Sequence, residues 1–425
     1  MDIKLQSANK VSGIIEVPAD KSITHRAVML SSLAHGNSVI KNYLPSDDCL
    51  RTIAAFGQMG SKIETFGDTL HISGAGLKLA KPEKEIYAGN SGTTTRLLCG
   101  ILAGQNFDSK ITGDESLSKR PMQRVIDPLS KMGADISSNN GNLPLTVRGK
   151  NPLKPIRYES DKSTAQVKSA VLFAGLYADG ATTYCEPVKS RDHSERMLKA
   201  YGAKIEVRGN CVTVYPAEKL SPQNITVPGD ISSAAFFIAA ALIVPGSSLT
   251  ITNVGVNPTR DGFIEVLLKM GADIVLENKR EVSGEPVADI TVKHSKLKAV
   301  NIGADIIPRM VDEVPVFALI AAMSQGVTKI TGAKELRVKE SDRISAITSQ
   351  LSKMGAQIKE LEDGFIIEGG VDLSGAKVDS FFDHRIAMTL AVAALVAKSE
   401  TVIKNAECVD ISFPDFYEVL KKICR

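Results

Sequence analysis

Apolar positions along the chain fall into two alternating textures. Six stretches are apolar almost throughout and rich in small residues, with polar groups confined to the opening turn: SITHRAVMLSSLA from Ser22, GTTTRLLCGILAG from Gly92, TAQVKSAVLFAGL from Thr164, SSAAFFIAAALIV from Ser232, DEVPVFALIAAM from Asp312 and DHRIAMTLAVAALVA from Asp383. A helix that is apolar all round is a buried helix, so the pattern predicts six core helices. Short extended segments follow them, for example Ser38-Val39-Ile40-Lys41, Lys110-Ile111-Thr112, Leu249-Thr250-Ile251, Lys329-Ile330-Thr331 and Thr401-Val402-Ile403-Lys404.

The second texture is amphipathic and ends on one recurring phrase: Met59-Gly60-Ser61, Met132-Gly133-Ala134, Tyr201-Gly202-Ala203, Met270-Gly271-Ala272 and Met354-Gly355-Ala356. Each phrase closes a stretch with apolar residues three and four apart, such as Ile264, Leu267 and Leu268, and opens an extended one, such as Asp273-Ile274-Val275-Leu276. Glycine suits the position after a helix, where the backbone turns left-handed at no side-chain cost. The repeating unit is therefore helix, strand, loop, second helix, Gly turn and one or two strands, about 70 residues in all.

Six such units divide most naturally into two domains of three, residues 20–227 and residues 1–19 plus 228–425. Hinges fall near 17–20 (Val17-Pro18-Ala19-Asp20) and 227–230 (Val227-Pro228-Gly229-Asp230). The sixth unit stops after its second helix, expected at 413–423, and the strand-like segments within residues 1–19 are expected to complete it. A single continuous solenoid would need polar caps at both ends, which the sequence lacks.

Composition narrows the function. The chain has 425 residues, 43% apolar and 23% charged, with no Trp, which is the balance of a globular protein with more than one core. Lys and Arg number 51 against 48 Asp and Glu, a net charge of +3. That is too small for a partner that is bulk nucleic acid or an anionic membrane, so any anion must meet a local cation cluster. The longest apolar runs, 234–244 and 391–397, fall short of the ~20 residues that span a bilayer. The start of the chain has no secretory leader pattern. Six cysteines without short paired spacing suggest neither a zinc site nor a redox dithiol, and a reducing cytoplasm is expected.

Candidate chemistry gathers at the starts of the six apolar helices, where unpaired N–H groups and the dipole favour anions. Asp20-Lys21-Ser22-Ile23-Thr24-His25-Arg26 suggests Ser22 as the N-cap with cations on both sides, and Gly89-Asn90-Ser91-Gly92-Thr93-Thr94-Thr95-Arg96 lets backbone N–H groups approach an anion. Cations also precede the second helices, in Ser118-Lys119-Arg120-Pro121 and Ser190-Arg191-Asp192-His193. On its own, the charge run 335–343 reads as a solvated face. Arg385 is different: it opens a buried helix against the dipole and needs an anionic partner. His25, His193 and His384 each lie near an Arg, and the structural reading of each is favoured over a general base. No complete Gly-x-Gly-x-x-Gly, Walker loop or His-Glu-x-x-His is present. Clustered cations with a few carboxylates suit transfer chemistry on small polyanions by proton movement and charge stabilisation.

These stretches resemble the 5-enolpyruvylshikimate-3-phosphate synthase (3-phosphoshikimate 1-carboxyvinyltransferase) family over almost the whole chain. DKSITHR, GNSGTTTR, KRPMQR, TAQVK, SRDHSER, NPTR, LRVKESDR and DHRIAM occur in the family's order. The resemblance implies an α/β (α+β) fold of two similar domains, each of three βαβαββ units, with the active site in the interdomain cleft. It implies transfer of the enolpyruvyl group of phosphoenolpyruvate to the 5-hydroxyl of shikimate 3-phosphate with release of phosphate, a step toward chorismate and the aromatic amino acids. Neither metal nor cofactor is implied, and a cytoplasmic monomer is expected. Carried over by position, Lys21, Ser22, Arg26, Thr164, Gln166, Arg191 and Lys339 would hold shikimate 3-phosphate, and Lys21, Gly92, Arg120, Gln166, Arg343 and Arg385 phosphoenolpyruvate. Asp312 would hold and deprotonate the hydroxyl and Glu340 would protonate the methylene carbon, with Lys21 beside them.

The chain also departs from the pattern. Ile411 stands where well-known members carry a Lys, and Thr164-Ala165-Gln166 replaces Ser-Ser-Gln. Arg191-Asp192-His193-Ser194-Glu195 resembles the signature of the second, often glyphosate-tolerant class, whereas Ala19 departs from that class and Gly92 is the residue of sensitive enzymes. UDP-N-acetylglucosamine enolpyruvyl transferase, the nearest rival, usually carries a reactive Cys in the loop corresponding to 114–122, which has none here. A non-catalytic anion-binding scaffold would need neither Asp312 nor Glu340.

Overall fold

The computed structural model describes the whole chain, Met1 to Arg425. The six apolar stretches are helices Lys21–Leu33, Gly92–Ala103, Ala165–Gly175, Ile231–Ile243, Val314–Met323 and His384–Ala394. Every residue of Ile231–Ile243 is buried. Small residues let such helices approach closely: a Cβ on Gly100 would lie 2.0 Å from the carbonyl oxygen of Ala170 on the neighbouring core helix. The five phrase glycines, Gly60, Gly133, Gly202, Gly271 and Gly355, all have φ between 85° and 101°. Each follows an amphipathic helix by one turn residue, as the C-terminal glycine argument requires.

Six separate sheets match the six units. In the typical pattern a strand, a core helix and a second strand form a parallel pair, to which an antiparallel hairpin is added. Thus Arg157–Glu159 runs parallel to Thr182–Cys185, which pairs antiparallel with Cys211–Val214 and through it with Ile205–Arg208. The second sheet follows the same plan with Ile86–Tyr87, Asp108–Thr112, Asn142–Arg148 and Asp135–Asn139. The fifth sheet has three strands, Val327–Ile330, Gly364–Glu368 and Gln357–Leu361.

The N-terminal segment divides between two sheets rather than completing only the sixth unit. Ile3–Leu5 pairs with Thr401–Lys404 in the sixth sheet, whereas Ser12–Glu16 runs parallel to Ser248–Gly255 in the fourth. The reason lies in the strand order: the fourth unit has no leading strand of its own, and Ser12–Glu16 supplies it. Asn224–Thr226 does the same for the first unit, parallel to His35–Lys41. The last helix is shorter than expected, Phe416–Ile423, and is preceded by a 3₁₀ turn over Ala406–Ile411.

The chain divides into two compact units. The first comprises Ala19–Val227 with Val282–Glu285, and the second Met1–Pro18, Pro228–Glu281 and Pro286–Arg425. Membership of the hairpin tip in the first unit has specific contacts behind it: Glu285 Oε1 lies 2.7 Å from His193 Nδ1, the carbonyl of Gly284 accepts from Arg196 at 3.1 Å, and Ser283 Oγ accepts from the Thr226 amide at 2.9 Å. Each unit has its own continuous apolar core.

One expectation about the cysteines is overturned. Cys185 and Cys211 form a disulfide, while Cys49, Cys99, Cys408 and Cys424 are free. Their separation of 26 positions hides the pairing, but the antiparallel register sets the two residues directly opposite each other.

Candidate active site

In the first unit the start of helix Lys21–Leu33 is capped by Asp20, whose Oδ1 accepts from the Ile23 amide at 2.9 Å. The N-cap is therefore Asp20 and not Ser22. Relieved of capping, the Ser22 hydroxyl accepts from Arg191 Nη1 at 3.3 Å. Lys21 Nζ is 3.1 Å from Asp48 Oδ2.

Arg26 is buried, and its guanidinium donates to Ser194 Oγ at 2.7 Å, Ser169 Oγ at 2.8 Å and the Ser22 carbonyl at 2.9 Å. All three acceptors are neutral, and burial lowers the Arg26 pKa to about 10 although Glu195 works in the opposite direction. A buried cation held by neutral oxygens is left without a carboxylate in its hydrogen-bonding shell. His25 is also buried, with Nδ1 2.7 Å from Thr52 Oγ1. Burial, then Lys21 and Arg26, hold His25 well below the ordinary histidine range, which supports its structural reading.

Helix Gly92–Ala103 is capped by Ser91, whose hydroxyl accepts from the Thr94 amide at 3.1 Å. Two guanidinium groups converge on Gly92: a Cβ there would lie 2.8 Å from Arg96 Nη1 and 3.7 Å from Arg120 Nη1. Arg96 Nη1 donates to Gln166 Oε1 at 2.7 Å, and Gln166 Nε2 donates to Thr93 Oγ1 at 3.0 Å. Arg120 is held by both the carbonyl and the side-chain oxygen of Asn90. Thr164 is the N-cap residue of Ala165–Gly175, yet its side chain makes no capping bond. Arg96 stands out only in the structure, although its place four residues after Gly92 puts it on the same helix face.

Beneath these groups, Lys168 Nζ lies 2.8 Å from Glu186 Oε1 and 2.8 Å from Glu195 Oε1, all fully enclosed. Burial opposes the Lys168 charge, but the two glutamates outweigh it and raise the pKa. His193, paired with Glu285, is likewise a structural group.

The second unit holds a tight cluster of both signs. Arg343, 1% exposed, reaches three carboxylates: Asp383 Oδ2 at 2.8 Å from Nε, Glu340 Oε2 at 2.6 Å from Nη2 and Asp312 Oδ1 at 3.4 Å from Nη1. Burial alone would lower its pKa, but Asp383, Glu340 and Asp312 raise it instead. The solvated reading of this charge run therefore fails at Arg343, because Asp383 lies beside it across the fold. Lys339 Nζ is 3.7 Å from Asp312 Oδ1, and Arg385 donates to the Asp312 carbonyl at 3.1 Å with a second contact to Oδ2 at 3.8 Å. The anionic partner expected for Arg385 is thus Asp312. Asp383 caps helix His384–Ala394 by accepting from the Arg385 amide at 2.9 Å. Ile411 packs against the apolar core.

Lys21, Ser22, Arg26, Gly92, Arg120, Thr164, Gln166 and Arg191 thus lie in the first unit, where Ser22, Arg26 and Arg191 are in contact and Gly92, Arg120 and Gln166 surround Arg96, and Asp312, Lys339, Glu340, Arg343 and Arg385 cluster in the second. The first set offers cations and hydroxyls for anions. The second offers two carboxylates, the buried Asp312 and the half-buried Glu340, fixed on one guanidinium, an arrangement able to move protons at neighbouring atoms.

The model of the family described as EPSP synthase (3-phosphoshikimate 1-carboxyvinyltransferase) matches residues 5–420. A 3-phosphoshikimate 1-carboxyvinyltransferase of Endomicrobium trichonymphae is 71% identical with complete coverage of both chains, 100% each. One from Thermoanaerobacter pseudethanolicus is 55% identical over 98% of this chain and 99% of the relative. A solved EPSP synthase from Acinetobacter baumannii superposes with a TM-score of 0.89 at 43% identity, covering 100% of this chain and 98% of that one. With the family model, the near relatives and the fold in agreement over the full length, the chain belongs to the EPSP synthase family.

Proposed function

We propose that the chain transfers the enolpyruvyl group of phosphoenolpyruvate to the 5-hydroxyl of shikimate 3-phosphate, releasing phosphate on the route to chorismate and the aromatic amino acids. The observation that carries this reading is the convergence of Asp312 and Glu340 on the buried Arg343, at 3.4 and 2.6 Å. Addition of a hydroxyl across the double bond of an enol phosphate needs one group to take the hydroxyl proton and another to deliver a proton to the methylene carbon. Elimination of phosphate then reverses the carbon protonation. Asp312 takes the first role and Glu340 the second. Positive charge develops at the reacting carbon, and two phosphates and two carboxylates must be held, so the remaining groups are cations and hydroxyls.

In this reading Lys21, Ser22, Arg26, Thr164, Gln166, Arg191 and Lys339 bind shikimate 3-phosphate together with Asp312. Lys21, Gly92, Arg120, Gln166, Arg343 and Arg385 bind phosphoenolpyruvate, with Arg96 added to that set by its contact with Gln166. Supporting the first set, Arg26 is a buried cation with neutral acceptors only. Supporting the second, two guanidinium groups face Gly92 at the start of a capped helix. The chemistry proposed uses no metal or organic cofactor. No helix is long and apolar enough to cross a membrane. The chain is proposed to act as a cytoplasmic monomer, in keeping with four free thiols and with every assigned residue lying on one polypeptide.

The test is a phosphate-release assay with the two substrates offered separately and together. Release is expected only with both, and Asp312→Ala is expected to abolish turnover while shikimate 3-phosphate still binds. Turnover with UDP-N-acetylglucosamine as acceptor would overturn the assignment, and binding of both substrates without turnover would favour a scaffold.

A further inference from the structure

Outside both clusters the fold carries a second reactive pair. We propose that Cys185 and Cys211 form a reversible thiol–disulfide exchange site, opened by a dithiol, whose state sets how firmly the loop 186–192 holds the phosphorylated acceptor. The second part rests on the assignment of Arg191 and Ser22 to that acceptor.

Four observations carry it. First, the bond joins residues already opposite each other in an antiparallel ladder, with Cα atoms 4.1 Å apart, in a unit that has a full apolar core of its own. It is a crosslink that the sheet does not need for its register, and in a chain whose other four cysteines are free it stands alone. Disulfides among free thiols in reducing surroundings are characteristically transient or redox-sensing.

Second, the two sulfurs are unequal. Cys185 is 4% exposed whereas Cys211 is partly open, so an incoming thiolate meets Cys211 first. Third, Arg157 Nη2 donates to Cys185 Sγ at 3.2 Å and to Cys211 Sγ at 3.7 Å, while its Nε is taken by Glu159 at 2.8 Å. A guanidinium in that place stabilises a thiolate, above all the one left on Cys185.

The step balances. One thiolate of the dithiol attacks Cys211 Sγ, the Cys185–Cys211 bond breaks, and its electron pair passes to Cys185 as thiolate beside Arg157. The second thiol of the reductant then loses its proton and attacks its own mixed-disulfide sulfur. Cys211 leaves as thiolate, the dithiol is oxidised to a disulfide and the protein is reduced by two electrons.

Fourth, Cys185 is the residue from which the acceptor loop springs. The next residue, Glu186, is buried and its Oε1 accepts from the Ser190 amide at 2.8 Å, Ser190 Oγ at 3.0 Å and Lys168 Nζ at 2.8 Å. Arg191 follows at once and donates to Ser22 Oγ. On the other strand, Asn210, adjacent to Cys211, donates through Nδ2 to the Pro187 carbonyl at 2.8 Å. The crosslink therefore ties together the two strand ends that anchor the loop.

The experiment poises the full chain in glutathione and dithiothreitol buffers under native conditions, alkylates with iodoacetamide and maps the peptides by mass. Cys185 and Cys211 are expected to become labelled together, while Cys49 and Cys99, buried with thiol pKa values pushed up to about 12, stay unlabelled. With oxidised glutathione, Cys185→Ser should give an adduct on Cys211, and Cys211→Ser none on Cys185. Arg157→Gln should slow opening by about three- to tenfold through the poorer leaving thiol. Calorimetry should show shikimate 3-phosphate bound about three- to tenfold more weakly by the reduced chain, the loss expected for roughly one loosened hydrogen bond. The double variant Cys185→Ser/Cys211→Ser should keep that weaker value in every buffer. A disulfide that resists excess dithiothreitol, or an adduct on Cys185, would overturn the exchange site, and equal affinities in the two states would overturn the coupling to the loop. Absence of any shikimate 3-phosphate binding would overturn the acceptor assignment and the coupling together, while the mass readout would still decide the exchange site.

Discussion

Asp383 grips Arg343 along one edge of the guanidinium, Oδ2 on Nε at 2.8 Å and Oδ1 on Nη2 at 3.3 Å, with both side chains withdrawn from solvent. Burial by itself would raise the Asp383 pKa, but Arg343 outweighs it and lowers the pKa. A carboxyl lowered in the folded state contributes stability that is full above its unfolded value, about 3.9, and is lost as pH falls through the folded one. Asp383→Ala leaves a buried cation short of its main partner and should cost about 3–5 kcal/mol in chemical denaturation at pH 7. The cost should shrink in wild-type comparisons made below pH 4. An undiminished difference there would show that Asp383 acts by packing rather than by charge.

Arg26 predicts a ligand-linked stability. Its charged form is disfavoured by burial, so the folded pKa of about 10 lies below the unfolded one, and the penalty persists at every pH below that value. An anion relieves it. Shikimate 3-phosphate at 100 times its Kd should stabilise the wild type by about 2.7 kcal/mol. For Arg26→Gln the apo protein should be no less stable, whereas affinity should fall about tenfold to a hundredfold, the worth of a charge-assisted hydrogen bond. Equal ligand-induced shifts of Tm in the two proteins at equal ligand concentration would remove Arg26 from the acceptor site.

How far the fold and site can be read from sequence alone differs from residue to residue. The five turn glycines and six core helices are legible because each depends on local chemistry: a left-handed turn that only glycine adopts cheaply, and helices with no polar face. Ser22 and Asp20 are both good caps, and the choice between them depends on Arg191, which engages the Ser22 hydroxyl from far along the chain. The run 335–343 shows the same limit. Arg337 pairs with Asp342 and Glu360 near the surface while Arg343 is enclosed, and nothing within the run distinguishes them. Pairings set by sheet register, such as Ser12–Glu16 with the fourth sheet or Cys185 with Cys211, leave no short-range trace.

His25 gives the fold an acid-sensitive point. Its folded pKa lies well below 6.5, so the unfolded chain binds a proton that the folded chain does not, and stability falls as pH drops below that value. Each pH unit should remove roughly 1.4 kcal/mol until the folded pKa is reached. His25→Gln, which retains a hydrogen-bonding side chain toward Thr52, should flatten urea-denaturation stability between pH 6.5 and 5. An identical slope in the variant would place the acid sensitivity elsewhere.

Gly92→Ala probes the proposed phosphoenolpyruvate site through a single methyl group. The added Cβ would lie 2.8 Å from Arg96 Nη1 and 3.7 Å from Arg120 Nη1, the ends of flexible side chains rather than backbone. The helix should tolerate the change, since alanine favours helix by up to about 1 kcal/mol over glycine, and Tm should move little. The guanidinium of Arg96 must shift, and with it its bond to Gln166. If the displaced group holds substrate rather than the reacting proton, as proposed, the KM for phosphoenolpyruvate should rise by about tenfold or more while kcat changes less. Arg96→Lys, which loses the fork geometry, should reproduce the KM effect without the methyl group. A fall in kcat with unchanged KM in both variants would mean that Gly92 and Arg96 serve the chemical step and not the capture of the donor.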